Sequence, residues 1–295
     1  MSDPIWKLSL PGLPFPLADA LSDLAGDGMA DVLATALDLD DEANALWRVE
    51  VYCGNEAAAQ ALLDILAAEA ASHGIGSLNP TINQVEDLDW VSKSQADLTP
   101  ILAGRFFVHG SHDRHRRPPN GVAIEVDAGQ AFGSGHHGTT QGCLIALDRL
   151  LKRGRPRNVL DMGCGSGILA IAAARAARCP VVASDIDPVA IRVARHNIKL
   201  NAAGAFVRAV TAAGTQHRTI RETAPYDVVF ANILARPLVM LAPRIREVLA
   251  SGGRAIVSGL TPNQEPRVIG AYRLQGMVLE RRSRHMGWST LVLSR

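Results

Sequence analysis

The stretch from Val159 to Pro188, VLDMGCGSGILAIAAARAARCPVVASDIDP, constrains the fold of this chain more than any other. Residues 158 to 162 are a short apolar run that predicts a buried strand, and Gly163, Gly165 and Gly167 follow it at once. Residues 168 to 178 then carry apolar and alanine side chains at helical spacing. The glycines therefore sit between the carboxyl end of a strand and the amino end of a helix, where open α/β sheets bind ligands. A second apolar run, 181 to 184, ends on Asp185, 22 positions after Gly163. An acidic residue there can accept hydrogen bonds from a ribose.

Two classes of nucleoside cofactor use this geometry. The dinucleotide fingerprint G-x-G-x-x-G wants glycine or alanine at its third site, so that helix and strand pack closely beside a pyrophosphate. Here that site is Ile168, the glycines read G-x-G-x-G, and no nearby side chain is an obvious pyrophosphate partner. S-adenosylmethionine has a ribose and an adenine but no phosphate, and its methionine end needs open backbone near glycines. The pattern favours that cofactor, against the plain alternative of three glycines that make only a tight turn.

A length of 295 residues allows one large or two medium domains, and 47% hydrophobic with 20% charged residues describes an ordinary globular protein. The proline-interrupted start MSDPIWKLSLPGLPFP is no signal peptide, and no apolar run approaches the roughly 20 residues that span a bilayer. A cytoplasmic protein is expected, with no membrane partner. Cys53, Cys143, Cys164 and Cys179 are far apart and form no C-x-x-C pair, so reduced, mostly buried thiols are expected. Cys164, inside the glycine loop, fits a small side chain in a turn better than a catalytic thiol. Residues 1 to 100 hold three Lys or Arg against seventeen Asp or Glu, and the remainder holds 27 against 12. Two charge regimes imply two modules: the acidic one either attracts a basic protein partner or is drawn to the basic half of the same chain.

In the first module the pattern predicts strands over 5–10, 46–52 and 81–85, a short helix over 17–25, and a helix over 56–73 ended by Gly74. Residues 32–37 fit either a strand or a helix. As a strand they complete a βαββαβ order, a ferredoxin-like module. Residues 89–120 are expected to be a joint, with a short helix over 89–98, a strand over 105–109, and His109, His112 and His115 interleaved with Arg114, Arg116 and Arg117. The arginines make this a solvated basic loop in preference to a metal site, and no metal is expected.

A strand over 121–126 leads to Asp127 and a second glycine-rich loop, AFGSGHHGTT, from Ala131 to Thr140. It lacks the ending of a phosphate-binding P-loop. Helices are expected over 140–152, 188–201, 238–249 and 262–274, strands over 206–211, 226–232 and 254–258, and a closing hairpin over 277–284 and 289–294. Gly252 and Gly253 are expected to end the third of those helices. Strands alternating with helices, with an antiparallel end, make a doubly wound α/β sheet. Strand 226–232 delivers Asn232 to the same edge as Gly163 and Asp185.

Together AFGSGHHGTT, VLDMGCGSGILAIAA, SDIDP, DVVFANIL and a closing GW resemble the PrmA family, the methyltransferases of ribosomal protein L11. The similarity runs from about Asp89 to the carboxyl terminus. It implies a class I (Rossmann-like) methyltransferase sheet with an antiparallel terminal hairpin over 121–295, joined through 89–120 to a small, acidic, ferredoxin-like domain over 1–88 that recognises the substrate. It implies that Thr140, Gly163, Gly165, Asp185 and Asn232 contact S-adenosylmethionine, with Asp185 on the ribose. Methyl groups would pass to lysine side chains and an amino terminus of ribosomal protein L11, free or on the ribosome, with no direct DNA partner. Asn232 is the catalytic candidate, orienting the amine through its side-chain oxygen or adjacent carbonyls. No strong general base is evident, His137 being a guess. The chain departs from the usual loop at Ser134, His136 and Gly138, and Gly287 stands before Trp288 where Glu is usual. These departures bear on the substrate side of the site.

The competing expectations are a lysine methyltransferase of another protein, such as the electron transfer flavoprotein, and a non-catalytic S-adenosylmethionine sensor. A nucleic-acid amino-methyltransferase would be expected to offer an aromatic for the flipped base, whereas Ile-Leu-Ala follows Asn232. An NAD-linked oxidoreductase is disfavoured by Ile168.

Overall fold

The structure is a computed structural model and describes residues 5–14, 31–36, 46–72, 79–85, 100–126 and 138–295. The expected helices over 17–25 and 89–98 lie outside these residues, as does the loop 131–137 with Ser134, His136 and His137. The chain divides into two compact units, Met1–Ser94 and Gln95–Arg295.

In the first unit β1 (Ile5–Pro14), β2 (Asp31–Ala36), β3 (Leu46–Cys53) and β4 (Thr81–Val85) form an antiparallel sheet in the order β2-β3-β1-β4. The ambiguous segment is thus a strand. Helix α1 (Glu56–Ser72) covers the sheet: its Ala59, Leu62, Leu66 and Ala70 are buried with Leu8, Leu10, Val49 and Val51. These helix positions recur at three- and four-residue spacing, so one stripe faces the sheet.

The second unit opens with a three-stranded sheet of β5 (Ile101–Ala103), β6 (Phe106–His109) and β7 (Val122–Glu125). Strand β6 is the strand expected over 105–109, whereas β5 was not anticipated. Ala103, Phe106, Val108 and Ile124 are buried in the core of this unit. Apolar side chains of that size gain too much by burial to remain in a solvated connection.

The main sheet has seven strands in the order β10-β9-β8-β11-β12-β14-β13. They are β8 (Val159–Met162), β9 (Val181–Asp185), β10 (Val207–Thr211), β11 (Tyr226–Asn232), β12 (Leu249–Leu260), β13 (Val278–His285) and β14 (Trp288–Ser294). All neighbours run parallel except β14, which is antiparallel to both β12 and β13. Side chains alternate between the two faces, as strand geometry requires. Val159, Val181, Phe230 and Ile256 enter one core, with α2 (Gly138–Leu151), α3 (Ile168–Ala177) and α4 (Pro188–Leu200). Leu160, Val182, Val229 and Val257 enter the other, with α5 (Arg218–Thr223), α6 (Ala235–Val248) and α7 (Glu265–Leu274). Burial on both faces is why these strands read as continuous apolar runs.

Two details differ from the sequence reading. Gly252 and Gly253 do not end α6. The chain turns extended at the buried Leu249 and enters β12 directly, and the register slips between Tyr226–Leu249 and Val228–Arg254. The glycine pair lies in that irregularity, where Gly252 has φ +72°. Helix α5, not anticipated, is short and mostly polar. It is held by the buried Ile220, whose carbonyl accepts the Tyr226 hydroxyl at 2.9 Å. The closing hairpin has a two-residue turn, Met286 and Gly287, with φ +50° and +77°. Positive φ at both positions matches the twist of the strands it joins.

Candidate functional site

The strand order reverses between β8 and β11, because the chain leaves β8 for β9 on one side and later returns to pair β11 on the other. A crevice opens at such a point, outside the carboxyl ends of the strands. Gly163, Asp185 and Asn232 all stand at that edge, at the ends of β8, β9 and β11.

The glycine loop is pinned by its neighbours. The Gly163 and Cys164 amides both donate to the Ser184 carbonyl, at 2.8 and 3.0 Å, and the Gly167 amide donates to the Cys164 carbonyl at 2.8 Å. Gly163, Gly165 and Gly167 have φ of +68°, +51° and +82°. Side-chain residues rarely adopt this left-handed region. At Gly163 a Cβ would also overlap Cγ2 of Ile233, which follows Asn232.

Asp185 closes the loop. Its Oδ2 accepts the Gly165 amide at 2.8 Å and its Oδ1 accepts the Asp187 amide at 3.0 Å. A carboxylate offers about four lone-pair directions, so two remain, one on each oxygen. Asp187 caps α4 by accepting the Val189 and Ala190 amides, at 2.7 and 3.3 Å, with Pro188 in the first turn. The cap fixes the chain where Ile186, 73% exposed, presents an apolar side chain beside the carboxylate.

Asn232 lies one residue beyond the Ala231–Met162 pair, so it leaves the sheet beside Gly163. Its backbone is fixed by pairing with Ser258, and the next amide, of Ile233, donates to the Ser258 carbonyl at 3.1 Å. Among the described residues its side-chain amide has no hydrogen-bond partner. Thr140 is buried in the first turn of α2, and no hydrogen bond joins it to the other four among the described residues. The hairpin turn comes close to the same helix end: a Cβ on Gly138 would overlap the His285 carbonyl oxygen.

Sequence reasoning missed Asp161. This carboxyl is fully buried in β8, where Oδ2 accepts the Ala170 amide at 2.9 Å and Oδ1 has no partner. Burial is the main cause that pushes its pKa up to about 7. The Ala170 hydrogen bond opposes the rise, and the nearby Asp185 charge adds to it. The signal was a lone acid in an apolar strand two residues before the first glycine. The Cys164 thiol is pushed up by burial and then by the Asp161 and Asp185 charges, so it stays protonated. The described residues hold no group of three His, Cys, Asp or Glu placed to bind a metal, and no helix among them is long and apolar enough to cross a membrane.

Comparison with known proteins agrees with this geometry. The profile of the family described as "Ribosomal protein L11 methyltransferase (PrmA)" matches residues 26–295. A ribosomal protein L11 methyltransferase of Bradyrhizobium diazoefficiens is 46% identical over 277 residues, 94% of this chain and 92% of that protein. One from Mesorhizobium japonicum is 47% identical over 231 residues, 78% of each chain. Among solved structures, the ribosomal protein L11 methylase of Lactobacillus delbrueckii subsp. bulgaricus superposes with a TM-score of 0.58 at 27% identity, covering 67% of this chain and 99% of that one. With a profile match over most of its length and relatives of this identity, the chain belongs to the PrmA family of S-adenosylmethionine-dependent methyltransferases.

Proposed function

We propose that this chain transfers methyl groups from S-adenosylmethionine to lysine side-chain and amino-terminal amines of ribosomal protein L11, in the cytoplasm. The observation that carries the reading is the Asp185 carboxylate. Two backbone amides hold it at the rim of a glycine loop, and one acceptor position stays open on each oxygen. That pair of acceptors matches the two vicinal hydroxyls of a ribose. Ile186 offers apolar surface to an adenine, Gly163 and Gly165 leave backbone open to the methionine end, and Thr140 borders the site from α2.

S-adenosylmethionine, when bound, supplies a methyl group already activated by a sulfonium. The protein's task is then placement: to hold a neutral amine in line and keep water out. A lysine of ordinary pKa is only about 0.04% neutral at pH 7, so the site must favour loss of its proton. The Asn232 side-chain oxygen and the Asn232 and Ile233 carbonyls can accept hydrogen bonds from an amine, which orients its lone pair. No charged base stands among the described residues at this point, so the proton is expected to leave to solvent before transfer.

Residues 1–88 are assigned the recognition of L11. The strand order β2-β3-β1-β4 with α1 on one face supports a ferredoxin-like module, and its excess of acidic residues suits a basic ribosomal protein. Mass spectrometry of purified, unmethylated L11 after incubation with S-adenosylmethionine and the enzyme tests the assignment. The full chain should methylate L11, and a chain lacking residues 1–88 should bind cofactor without doing so. Equal transfer by the shortened chain would refute the recognition role, and no transfer by the full chain would refute the substrate.

A further inference from the structure

Strand β12 is irregular next to Asn232. Its pairing with β14 slips between Val257–Leu291 and Leu260–Ser289, so Ser258 and Gly259 together oppose Thr290. Two residues against one make a β-bulge, which interrupts the backbone ladder and re-aims the side chains beside it. Gly259 takes φ +89° there, and a Cβ on it would overlap the Ile233 carbonyl oxygen. The bulge therefore lies directly against the chain as it leaves β11.

Hydroxyl groups bridge the interruption. The Ser258 hydroxyl donates to the Ser289 carbonyl at 2.8 Å and lies 3.1 Å from the Thr290 hydroxyl. A carbonyl only accepts, so the Ser258 proton is committed to Ser289 and Thr290 is the donor of the second bond. Ser289 is itself fixed: its hydroxyl donates to Glu265 Oε1 at 2.5 Å, and that carboxylate, in the first turn of α7, also accepts Arg282 and Arg284. Ser258, Ser289, Thr290 and Glu265 are all buried. Room for the Thr290 hydroxyl exists because residue 142 of α2 is glycine, where a Cβ would overlap that oxygen. Apolar side chains of the same shape could replace such a pair at little cost in stability, so the buried hydroxyls are explained by direction more than by strength.

Direction matters because of what adjoins them. Asn232 and Ser258 are register partners on neighbouring parallel strands, and the Ile233 amide donates to the Ser258 carbonyl at 3.1 Å. Phe230 and Ile256, two residues earlier, enter the core shared with α2, and alternation puts Asn232 and Ser258 on that face as well. Among the described residues the Asn232 side chain has no hydrogen-bond partner, so its direction is set by the backbone that carries it. Gly142 comes two residues after Thr140. The Thr290 hydroxyl thus stands between the helix of Thr140 and the strand pair of Asn232.

We propose that Ser258 and Thr290 are positioning residues for methyl transfer: their hydroxyl pair fixes the bulge of β12 and thereby the direction in which Asn232 leaves β11. The proposal rests on the reading that Asn232 orients the substrate amine.

The test uses the full chain and the variants Thr290→Val, Thr290→Ser and Ser258→Ala, alone and with Asn232→Ala. Valine keeps the volume of threonine without the hydroxyl. Thr290→Val and Ser258→Ala should each lower kcat on L11 about 10-fold, because a small misplacement of an orienting group is costly, while affinity for S-adenosylhomocysteine stays within about twofold. Thr290→Ser, which keeps the hydroxyl, should retain most of the activity. If Ser258 and Thr290 act through Asn232, the losses do not multiply: Asn232→Ala with Thr290→Val should remain about 100-fold below the parent, not about 1000-fold. Hydrogen exchange reads the placement without turnover. Thr290→Val should speed exchange of the Ile233 amide about 10-fold and leave that of Gly165 unchanged. Parental kcat in Thr290→Val, equal losses in Thr290→Val and Thr290→Ser, multiplied losses in the double variant, or unchanged Ile233 exchange would overturn the proposal. Asn232→Ala alone tests the underlying reading: an unchanged kcat there would refute the role of Asn232, while the exchange rates would still decide the placement.

Discussion

Asp185→Ala removes the group on which the cofactor assignment stands, and its effect can be worked out from the loop. Each carboxylate oxygen accepts one backbone amide, from Gly165 or Asp187, and keeps one free direction. Alanine therefore abolishes two ribose contacts and releases the two amides that shape the loop. A hydrogen bond to a charged group contributes about 1.5–3 kcal/mol, and for a partly solvated rim the lower figure applies to each, about 3 kcal/mol in all. That corresponds to a loss of affinity on the order of 100-fold. Asp185→Asn, which keeps one oxygen but turns a donor toward an amide, should fall between. Titration calorimetry with S-adenosylhomocysteine measures this without turnover, and circular dichroism checks that the variant is folded. A folded Asp185→Ala protein that binds within about twofold of the parent would refute the ribose assignment.

Three further substitutions probe other parts of the site, and a fourth, at Gly204, serves as a control. Gly163→Ala should cost about 2–4 kcal/mol, from its left-handed backbone and the overlap with Ile233, whereas Gly204→Ala, with open space around it, should be neutral in thermal unfolding. Asn232→Ala should lower kcat on the order of 100-fold while the protein stays folded; an unchanged kcat would remove it from the chemistry. Asp161 has a raised folded-state pKa, so the folded chain holds its proton more tightly than the unfolded chain does. Wild-type stability should therefore fall as pH rises from 3.8 to about 7, by about 1.4 kcal/mol per pH unit at most. Asp161→Asn abolishes this loss, so urea midpoints of the two proteins should diverge between pH 5 and pH 8; parallel midpoints would contradict the burial argument.

What the sequence made legible follows from how strongly each element was determined. Parallel strands buried on both faces are short apolar runs, so β8, β9 and β11 and the residues at their ends stood out, and three glycines at a strand end have few other uses. Elements stabilised chiefly by tertiary contacts did not stand out. Helix α5 has six residues and depends on Ile220 and the Tyr226 hydroxyl. Strand β5 has three residues and looks like connection until it is seen paired with β6, with Ala103 in the core. The start of β12 is set by burial of Leu249, although the glycine pair nearby reads as a helix stop. Asp161 was hidden because its burial and its unpartnered Oδ1 arise from the packing of β8 against α3, which the order of residues does not display.

The most direct test of the central claim is transfer of label from S-adenosylmethionine into an extract that lacks the endogenous methyltransferase, with Asn232→Ala as control and labelled proteins identified by mass spectrometry. The account predicts label on ribosomal protein L11, at lysine and amino-terminal amines, with the wild-type chain alone. Label confined to another protein, or no label with a chain that binds the cofactor, would contradict it.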